Sequence, residues 1–326
     1  MSAPSPDILD LYDLALLLNY ERASAEPRFR YAKLREVASA SSPFKTVVIP
    51  APEWTDRTAP KDGFIFDKIP SQKVNERYLP DLPSNMLVTP IRNPSVRSLT
   101  PKQIETIYWQ ARGHDGCFKC IVLLQHFFDL YPEGVRIRVR TSSGAEFTTL
   151  ASSRCILEMV LLGPKLMTMS CILPSQIYIT GDEDTMVHAV MGFTDSSSSA
   201  SDIILDMASL QFGDAGRGLG GRSTFVLESR SDFGNRLNRI ANSASFTKTS
   251  ARIRPCPDDG WLKPIAAKVK ARWENRHAES WCGHCGSPGP DLKKCSKCRD
   301  TSYCDAAPQV AAWPFHKKFC AGMKDA

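Results

Sequence analysis

Six cysteines and one histidine with the spacing of zinc ligands lie in the last 45 residues of this 326-residue chain. They are Cys282, Cys285, Cys295, Cys298, Cys304, His316 and Cys320. The first four form two C-x2-C pairs, and each pair places two thiolates on one tight turn, where both can reach a metal about 2.3 Å from each sulfur. The last two are four residues apart, on one face of an expected helix. Two tetrahedral zinc sites need eight donors, so the segment is one donor short.

The missing donor is expected four residues after Cys304, where the chain has Pro308. The segment is short and rich in Gly, Pro and Lys, so it cannot bury enough apolar surface to fold alone, and bound metal would supply the folding free energy. A cluster of disulfides is the alternative. The first 20 residues open polar and carry acidic residues through their apolar part, unlike a signal peptide. We therefore expect an intracellular protein, cytoplasmic or nuclear, in which reduced cysteines favour metal.

The spacing resembles the MYND-type zinc finger, a small cross-braced module with two zinc sites. Beside the cysteines, the residues that carry the resemblance are Tyr303, Gln309, Trp313, Pro314, His316 and Lys317. The ligands of that family interleave along the chain. The resemblance therefore implies one zinc held by Cys295, Cys298, His316 and Cys320, and another held by Cys282, Cys285, Cys304 and position 308. The family has a cysteine where this chain has Pro308, so the latter site would keep three protein ligands.

Water or a nearby imidazole would take the fourth position of the shorter set, and His284 and His277 are the candidates by proximity. We expect His284 to point away from the metal, because side chains inside a C-x2-C turn tend to do so. Catalytic zinc also has an open position. A short exposed finger offers no substrate pocket, however, so a weakened structural site is the favoured interpretation.

The net charge of +6 is concentrated around the finger. From residue 262 onward there are 12 Lys and Arg against 6 Asp and Glu, while the rest of the chain holds 29 of each. A basic patch can meet nucleic acid or acidic peptides, or be solvated surface. No arginine-rich run or DNA-reading helix pattern is present, so nucleic acid is not favoured. The resemblance implies a protein or proline-rich peptide partner, and no run of about 18 apolar residues predicts a membrane span.

The sequence predicts four segments. Residues 1–98 form an N-terminal extension, 99–258 a central α+β domain, 259–281 a basic helical linker and 282–320 the finger. In the extension we expect an amphipathic helix over 8–20, a second helix over 27–40 and irregular chain over 41–98, with no visible chemistry.

In the central domain, Thr100-Pro101-Lys102-Gln103 is a capping box that predicts a helix through Arg112. Residues 117–130 predict a buried helix after a break at Gly116. Strands are expected at 135–140, 176–180, 186–193, 202–206 and 225–228, and helices at 153–162 and 231–240, the last capped by Ser231. The polar run 195–201 favours a hairpin loop between the third and fourth of these strands.

One set of residues in this domain suggests nucleophilic chemistry. Cys117 opens the buried helix, His188 lies on an expected strand, and Asp206 ends the next strand. This order resembles the papain-like and transglutaminase-like cysteine enzymes, in which a helix N-terminus lowers the thiol pKa, the histidine is the base and the carboxylate orients it. A hairpin pairing Gly192 with Asp202 would place His188 opposite Asp206. Only that register, or a nearby one of the same parity, keeps both residues on one face.

The departures from that family are specific. Val190 stands where the transglutaminase-like enzymes usually have Trp, and Asp206 is followed by Met207-Ala208. Cys120 competes with Cys117 as nucleophile. The alternatives are three locally satisfied buried residues, or a redox C-x2-C pair without the surrounding thioredoxin-like pattern. The glycine-rich run 213–221 lacks the Lys-Ser/Thr of a phosphate loop and favours a flexible loop beside the set.

Two functions remain open. In the first, the chain is a zinc-binding protein whose MYND-type finger mediates protein–protein interaction. In the second, it is a cysteine peptidase or acyltransferase with Cys117 as nucleophile, His188 as base and Asp206 as orienting carboxylate.

Overall fold

A computed structural model describes residues 8–49, 51–55, 60–68, 81–174, 176–194, 202–253 and 260–323. It confirms the α+β class. The helices are α1 (Leu11–Ala25), α2 (Pro52–Thr55), α3 (Pro94–Arg97), α4 (Pro101–Arg112), α5 (Gly116–Phe128), α6 (Arg230–Ile240), α7 (Leu262–Glu274) and α8 (Ala306–Phe319). Short 3-10 helices cover Pro83–Met86, Ala151–Ser153, Ser209–Gly216 and Ala321–Met323. No helix among these described residues has the length and apolar character needed to cross a membrane.

The strands of the described residues form four sheets, and the short strands of the finger make one of them. The strands are β1 (Leu9–Asp10), β2 (Lys33–Ser39), β3 (Lys61–Asp67), β4 (Arg136–Arg140), β5 (Glu146–Leu150), β6 (Arg154–Pro164), β7 (Met167–Leu173), β8 (Gln176–Thr180), β9 (Thr185–Phe193), β10 (Ile203–Asp206), β11 (Val226–Ser229), β12 (Ala241–Ser250), β13 (Lys293–Lys294) and β14 (Ser302–Tyr303). Their orders are β1-β4-β5, β2-β3-β7-β8, β11-β10-β9-β6-β12 and β13-β14.

The five-stranded antiparallel sheet is the centre of the molecule. Successive residues of a strand face opposite sides, and β9 shows this clearly. Ala189 and Met191 join the largest apolar cluster, with side chains of α1, α5 and α7. Val190 joins the cluster that contains side chains of α6. Helices therefore cover both faces of this part of β9, and the polar His188 of the same strand is fully buried.

The first 98 residues are built into this architecture. Strand β1 pairs in parallel with β4, and β3 pairs in parallel with β7. Helix α1 lies in the largest core, and helix α7 of the predicted basic linker packs against α1 and α5. The segment boundaries at 98, 258 and 281 remain predictions. Two sheets contain strands from both sides of residue 98. Residues 254–259, around the second boundary, lie outside the described residues.

Several local predictions are confirmed. The capping box of Thr100 and Gln103 begins α4, which ends at Arg112. The buried helix is α5, and the five expected strands are β4, β8, β9, β10 and β11. Helix α6 is capped by Ser229, two residues before the predicted Ser231. The hairpin loop 195–201 lies outside the described residues.

Other predictions are wrong. Residues 153–162 form strand β6 rather than a helix, because this strand is paired on both edges, with β9 and β12. An almost continuous apolar run does not distinguish a buried strand from a buried helix. Residues 33–39 form β2, with alternating burial, where a second helix was expected. Helix α1 is buried on nearly all sides rather than amphipathic. The supposedly irregular segment 41–98 contains β3, a middle strand of its sheet.

Candidate metal centre

Two tight turns position the cysteines of the finger. In the first, the Gly286 amide donates to the Cys282 carbonyl oxygen at 2.8 Å. Gly286 has φ of +78°, and a Cβ there would lie 2.7 Å from the Leu16 carbonyl oxygen of α1, so glycine is required. In the second, the Arg299 amide donates to the Cys295 carbonyl oxygen at 3.0 Å. Each turn aims two sulfurs at one point.

The donors gather into two clusters, with the partition that the family resemblance implied. The four-residue cluster consists of Cys295, Cys298, His316 and Cys320. The three-cysteine cluster consists of Cys282, Cys285 and Cys304. Within each cluster, all donor atoms lie within 4.8 Å of one another. Interleaving follows from the short β13–β14 hairpin and from α8, which together bring the later ligands back onto the two turns.

The spacing of the donors fits tetrahedral zinc. In the three-cysteine cluster, the Sγ atoms of Cys285 and Cys304 are 3.8 Å apart. In the four-residue cluster, Cys298 Sγ lies 3.6 Å from His316 Nε2. Tetrahedral zinc with the usual bond lengths places two sulfurs about 3.8 Å apart and a sulfur and an imidazole nitrogen about 3.6 Å apart. A disulfide would need sulfurs about 2 Å apart, and none of the ten described cysteines is in a disulfide.

Three thiols at this spacing do not ionise together without a cation. Hydrogen bonds from Cys285 and Cys304 lower the pKa of Cys282 to about 2. The hydrogen bond with Cys282, helped by burial, raises the pKa of Cys304 to about 12 against a lowering contact with Cys285. The hydrogen bonds with Cys282 and Cys304 raise the pKa of Cys285 well above its usual range. Only one of the three sulfurs is then a thiolate near neutral pH. A bound divalent cation removes this conflict, because it favours the ionised form of every coordinating thiol.

His284 lies inside the first C-x2-C turn but points away from the cluster. Its Nε2 is 2.6 Å from Oε1 of Glu105 on α4. Glu105 also pairs with the buried Arg217, at 3.2 Å. Burial raises the pKa of Glu105, but the charges and hydrogen bonds of His284 and Arg217 outweigh it and hold that pKa below the usual range. The expectation that His284 is directed away from the sulfurs is met, and it joins the finger to the core instead.

Further contacts seat the finger on α1 and α7. Arg272 of α7 donates to Glu21 of α1 at 2.7 Å and to the Gly286 carbonyl oxygen at 3.0 Å. The rings of Tyr12 and Phe315 stack at a centroid distance of 3.6 Å. No short sequence pattern predicts these contacts, because the residues that make them lie near opposite ends of the chain.

Several grooves border the finger, and two of them adjoin its cysteine turns and α8. The α8 groove, of about 540 Å³, lies between the second turn and α8, and its lining includes Ser296, Lys297, Gln309 and Trp313. The interface groove, of about 740 Å³, lies between the finger and the core. Its lining includes Leu82, Leu87 and Ile104 from the core, and Cys285, Cys304 and Pro308 from the finger. The expectation that the finger offers no pocket is therefore wrong, because the core supplies the second wall.

The structure also brings together the core set, Cys117, His188 and Asp206. Strand β10 pairs with β9 so that Leu205 lies opposite Met191. The predicted hairpin paired Gly192 with Asp202, whereas the structure pairs Gly192 with Ile204. The shift of two residues leaves His188 and Asp206 on one face of the sheet. His188 Nε2 is 3.1 Å from Oδ2 of Asp206. A hydrogen bond to Cys117 also contributes to the pKa of the ring.

The core set is buried and heavily paired. Cys117 is 4% exposed, His188 0% and Asp206 1%. Burial lowers the pKa of His188, but the carboxylate of Asp206 outweighs it, with a smaller contribution from Cys117, and raises that pKa to about 9. The other ring nitrogen contacts the Gln211 amide at 3.1 Å. In this orientation the Gln211 NH2 group donates to Nδ1 of a neutral His188 ring. If the amide were turned by 180°, its oxygen would accept from the N–H of a charged ring.

Arg236 is a member of this network that the sequence analysis missed. It lies 3.1 Å from Oδ2 of Asp206 and donates to Glu228 at 2.7 Å. Burial raises the pKa of Asp206, but His188 and Arg236 outweigh it and keep it below the usual range. These groups come from α6, β9, β10 and β11, so no local motif would have revealed the network.

Comparison with known proteins identifies the finger. A family model described as "MYND finger" matches residues 282–320. The chain is also similar to "SET domain-containing protein 14" of Caenorhabditis elegans, with 44% identity over 68 residues. That similarity covers 21% of this chain and 15% of the relative. The chain thus carries a MYND finger, a zinc-binding module whose usual role is protein–protein interaction.

No solved structure matches the chain. The papain-like or transglutaminase-like fold that the central region resembled therefore has no support from known structures. What stands is a mixed α+β architecture that carries a C-terminal cluster of cysteine and histidine.

Proposed function

We propose that this chain is a zinc-dependent interaction protein whose finger docks a proline-rich peptide. The proposed ligands are Cys295, Cys298, His316 and Cys320 for one zinc, and Cys282, Cys285 and Cys304 for another that lacks a donor at Pro308. The observation that carries the proposal is the agreement of two separate donor distances, 3.8 Å and 3.6 Å, with tetrahedral zinc. When bound, zinc would hold the two turns and α8 together.

The α8 groove supports a peptide as the ligand. Gln309 and Trp313 are four residues apart, so they present one face of α8 to the groove. A half-buried indole offers a flat apolar wall, and the amide of Gln309 and the ammonium of Lys297 are hydrogen-bond donors. A proline-rich segment in the polyproline II conformation has free carbonyl oxygens and little entropy to lose on binding. The groove therefore suits such a segment.

The test is binding of fluorescently labelled proline-rich peptides to the zinc-loaded full chain, followed by fluorescence polarisation. Replacing Trp313 with Ala should weaken binding by about 2 kcal/mol, because aromatic anchors dominate such interfaces. Phe246→Ala is the matched control, since Phe246 is an exposed aromatic of β12 that does not line the groove. Undiminished binding by the Trp313→Ala variant at full zinc content would refute the assignment of the groove.

A second candidate function rests on the convergence of the core set. The hydrogen bonds among Cys117, His188 and Asp206 support a cysteine peptidase or acyltransferase in which His188 takes the thiol proton. The relative named above carries a SET domain in its name, so it lends this candidate no support. The start of α5 also lies close to helix α1. A Cβ added at Gly116 of α5 would be 3.6 Å from the guanidinium of Arg22 of α1.

Alkylation rates test the second candidate. An activated Cys117 should react with iodoacetamide at neutral pH faster than Cys155, although Cys155 is the more exposed residue. Peptide mass spectrometry measures both rates in one sample. The His188→Gln variant should remove the difference. If Cys117 reacts no faster than Cys155 in the unaltered protein, its thiol is not activated and the enzyme candidate fails.

A further inference from the structure

The three-cysteine cluster has a corner with no protein donor, and that corner faces the interface groove. Tetrahedral zinc needs a fourth ligand. The cluster contains only these three cysteines, because no other Cys, His, Asp or Glu of the described residues lies close enough to join it. Pro308 lies four residues after Cys304, in the first turn of α8, and its ring offers no donor atom. Pro308, Cys285 and Cys304 all line the interface groove.

The nearest protein candidates are engaged elsewhere. His284 is directed to Glu105, with 2.6 Å between Nε2 and Oε1. Asp305 caps α8, and its Oδ1 accepts from the Ala307 amide at 2.8 Å. Recruiting either side chain would break a hydrogen bond that fixes the finger or begins its helix. The fourth position is therefore available to a ligand that enters from the groove.

The groove is large enough for more than solvent. Its volume of about 740 Å³ lies within the range of small-ligand sites. Leu82, Leu87 and Ile104 give it an apolar wall on the core side. A side chain that reaches the metal would thus be held by packing as well as by coordination.

The charge of the zinc centre favours a neutral donor. Zinc with three thiolates has a net charge of −1, and a fourth thiolate or a carboxylate would take it to −2. The groove lining carries both signs, since Arg222 lies there with the exposed Asp305, and Lys102 and Arg217 are paired with carboxylates. The carboxylate of Glu105 is already paired with Arg217 and His284. A neutral imidazole adds no charge and is a preferred zinc ligand.

We propose that a histidine side chain of a bound protein partner enters the interface groove and completes the coordination of the metal held by Cys282, Cys285 and Cys304. This inference rests on the zinc ligands proposed above and adds a second recognition point, separate from the α8 groove. The partner would then carry a histidine, and its affinity would depend on metal as well as on packing.

Cobalt spectroscopy tests this proposal on the full chain. Co²⁺ replaces zinc in thiolate sites, and its visible absorption reports the ligand set. The chain loaded with two Co²⁺ is titrated with imidazole as the probe. We expect a saturable change in the absorption bands, and the same change with an acetylated and amidated Ala-His-Ala peptide. The Ala-Ala-Ala peptide should produce none, and an Ala-Cys-Ala peptide should produce less than the histidine peptide.

Two variants at one position provide the controls. Pro308→Cys restores the family's own donor, so its bands should not respond to imidazole. Pro308→Ala adds no donor and should respond like the unaltered chain. Lack of response in the unaltered chain with two Co²⁺ bound would overturn the proposal, as would an equal response in Pro308→Cys, or a response to the cysteine peptide alone.

The failure of the proposed function gives a different result. A chain that binds only one Co²⁺ has no metal in the three-cysteine cluster, which would refute both the ligand assignment and this inference. Loss of peptide binding at the α8 groove is measured separately with the Trp313→Ala variant. The chain could instead bind two Co²⁺ and bind peptide at the α8 groove, yet show no response to imidazole. That result would agree with the proposed function and refute only the partner histidine as a metal ligand.

Discussion

The finger clusters and the core set are built from the same kinds of side chain but differ in shape. In the finger, the donor atoms of each cluster surround a common centre, all within 4.8 Å of one another. In the core set, His188 lies in a row of contacts, with Asp206 at one ring nitrogen and Gln211 at the other. A ring of donors around a centre suits a cation, whereas a row of alternating donors and acceptors suits a buried proton and its charges.

The two regions differ also in access. The finger borders grooves of several hundred cubic ångströms, among them the α8 groove and the interface groove. The core set is under a layer of helices, and none of its three residues is more than 4% exposed. Similar residue types therefore lie at the surface in one region and in the interior in the other, and the following variants test what each set contributes.

Loss of a ligand from the four-residue cluster should have the largest effect. Cys295→Ser removes a buried thiolate, and a structural zinc in such a module contributes about 10 kcal/mol or more to folding. We expect the finger to lose its metal and unfold. Elemental analysis of zinc and hydrogen exchange over residues 282–320 measure both effects. Cys155→Ser, outside the finger, should leave them unchanged, and a folded finger in Cys295→Ser would contradict the assignment.

A change of pH should have the next largest effect, and it should arise in the core set. The pKa of His188 is raised to about 9 from 6.5. The charged ring therefore contributes fully below pH 6.5, and its contribution is lost as the pH rises through 9. From the size of the shift, the loss is about 3 kcal/mol at most.

Urea unfolding at several pH values measures that loss. The His188→Gln variant should not show the decline over this window, while the exposed His277→Gln should retain it. An identical pH dependence in the His188→Gln variant would mean that another group causes it.

Removal of zinc by a mild chelator should distinguish the two clusters of the finger. A site with one protein ligand fewer should release its metal at least about tenfold more readily. A colorimetric chelator should therefore take one zinc per chain quickly and the second slowly. Pro308→Cys should slow the first phase. Two equally resistant zincs in the unaltered chain would contradict the inequality proposed for the clusters.

The smallest expected effect concerns the joint between finger and core. His284→Ala removes the hydrogen bond to Glu105, which should cost about 1–2 kcal/mol. The zinc content should stay unchanged, because His284 is directed away from the sulfurs. Thermal unfolding and zinc analysis of the same sample check both parts. Loss of a zinc on this substitution would show that His284 is a ligand after all.

The sequence predicted best where the chain itself brings the interacting residues together. The ligands of the finger lie within 39 residues, and the capping box of α4 lies within four. The parity of β9 and β10 was also accessible, because the alternation along each strand limits the registers. The prediction failed for β6, whose apolar run suits a helix or a strand until its partners are known. Arg236 and Glu105 act across the fold and leave no local signal.

Arg272 of α7 connects the finger with helix α1 of the core. Its guanidinium contacts Glu21 of α1 and the carbonyl oxygen of Gly286, next to the ligand Cys285. If the finger binds metal as proposed, we expect metal binding and the packing of α1 to depend on each other, and such coupling is reciprocal. Zinc should protect the core from unfolding, and a core mutation that loosens α1 should lower the affinity for zinc. Metal supply would in this way control the lifetime of the whole protein as well as the fold of its finger.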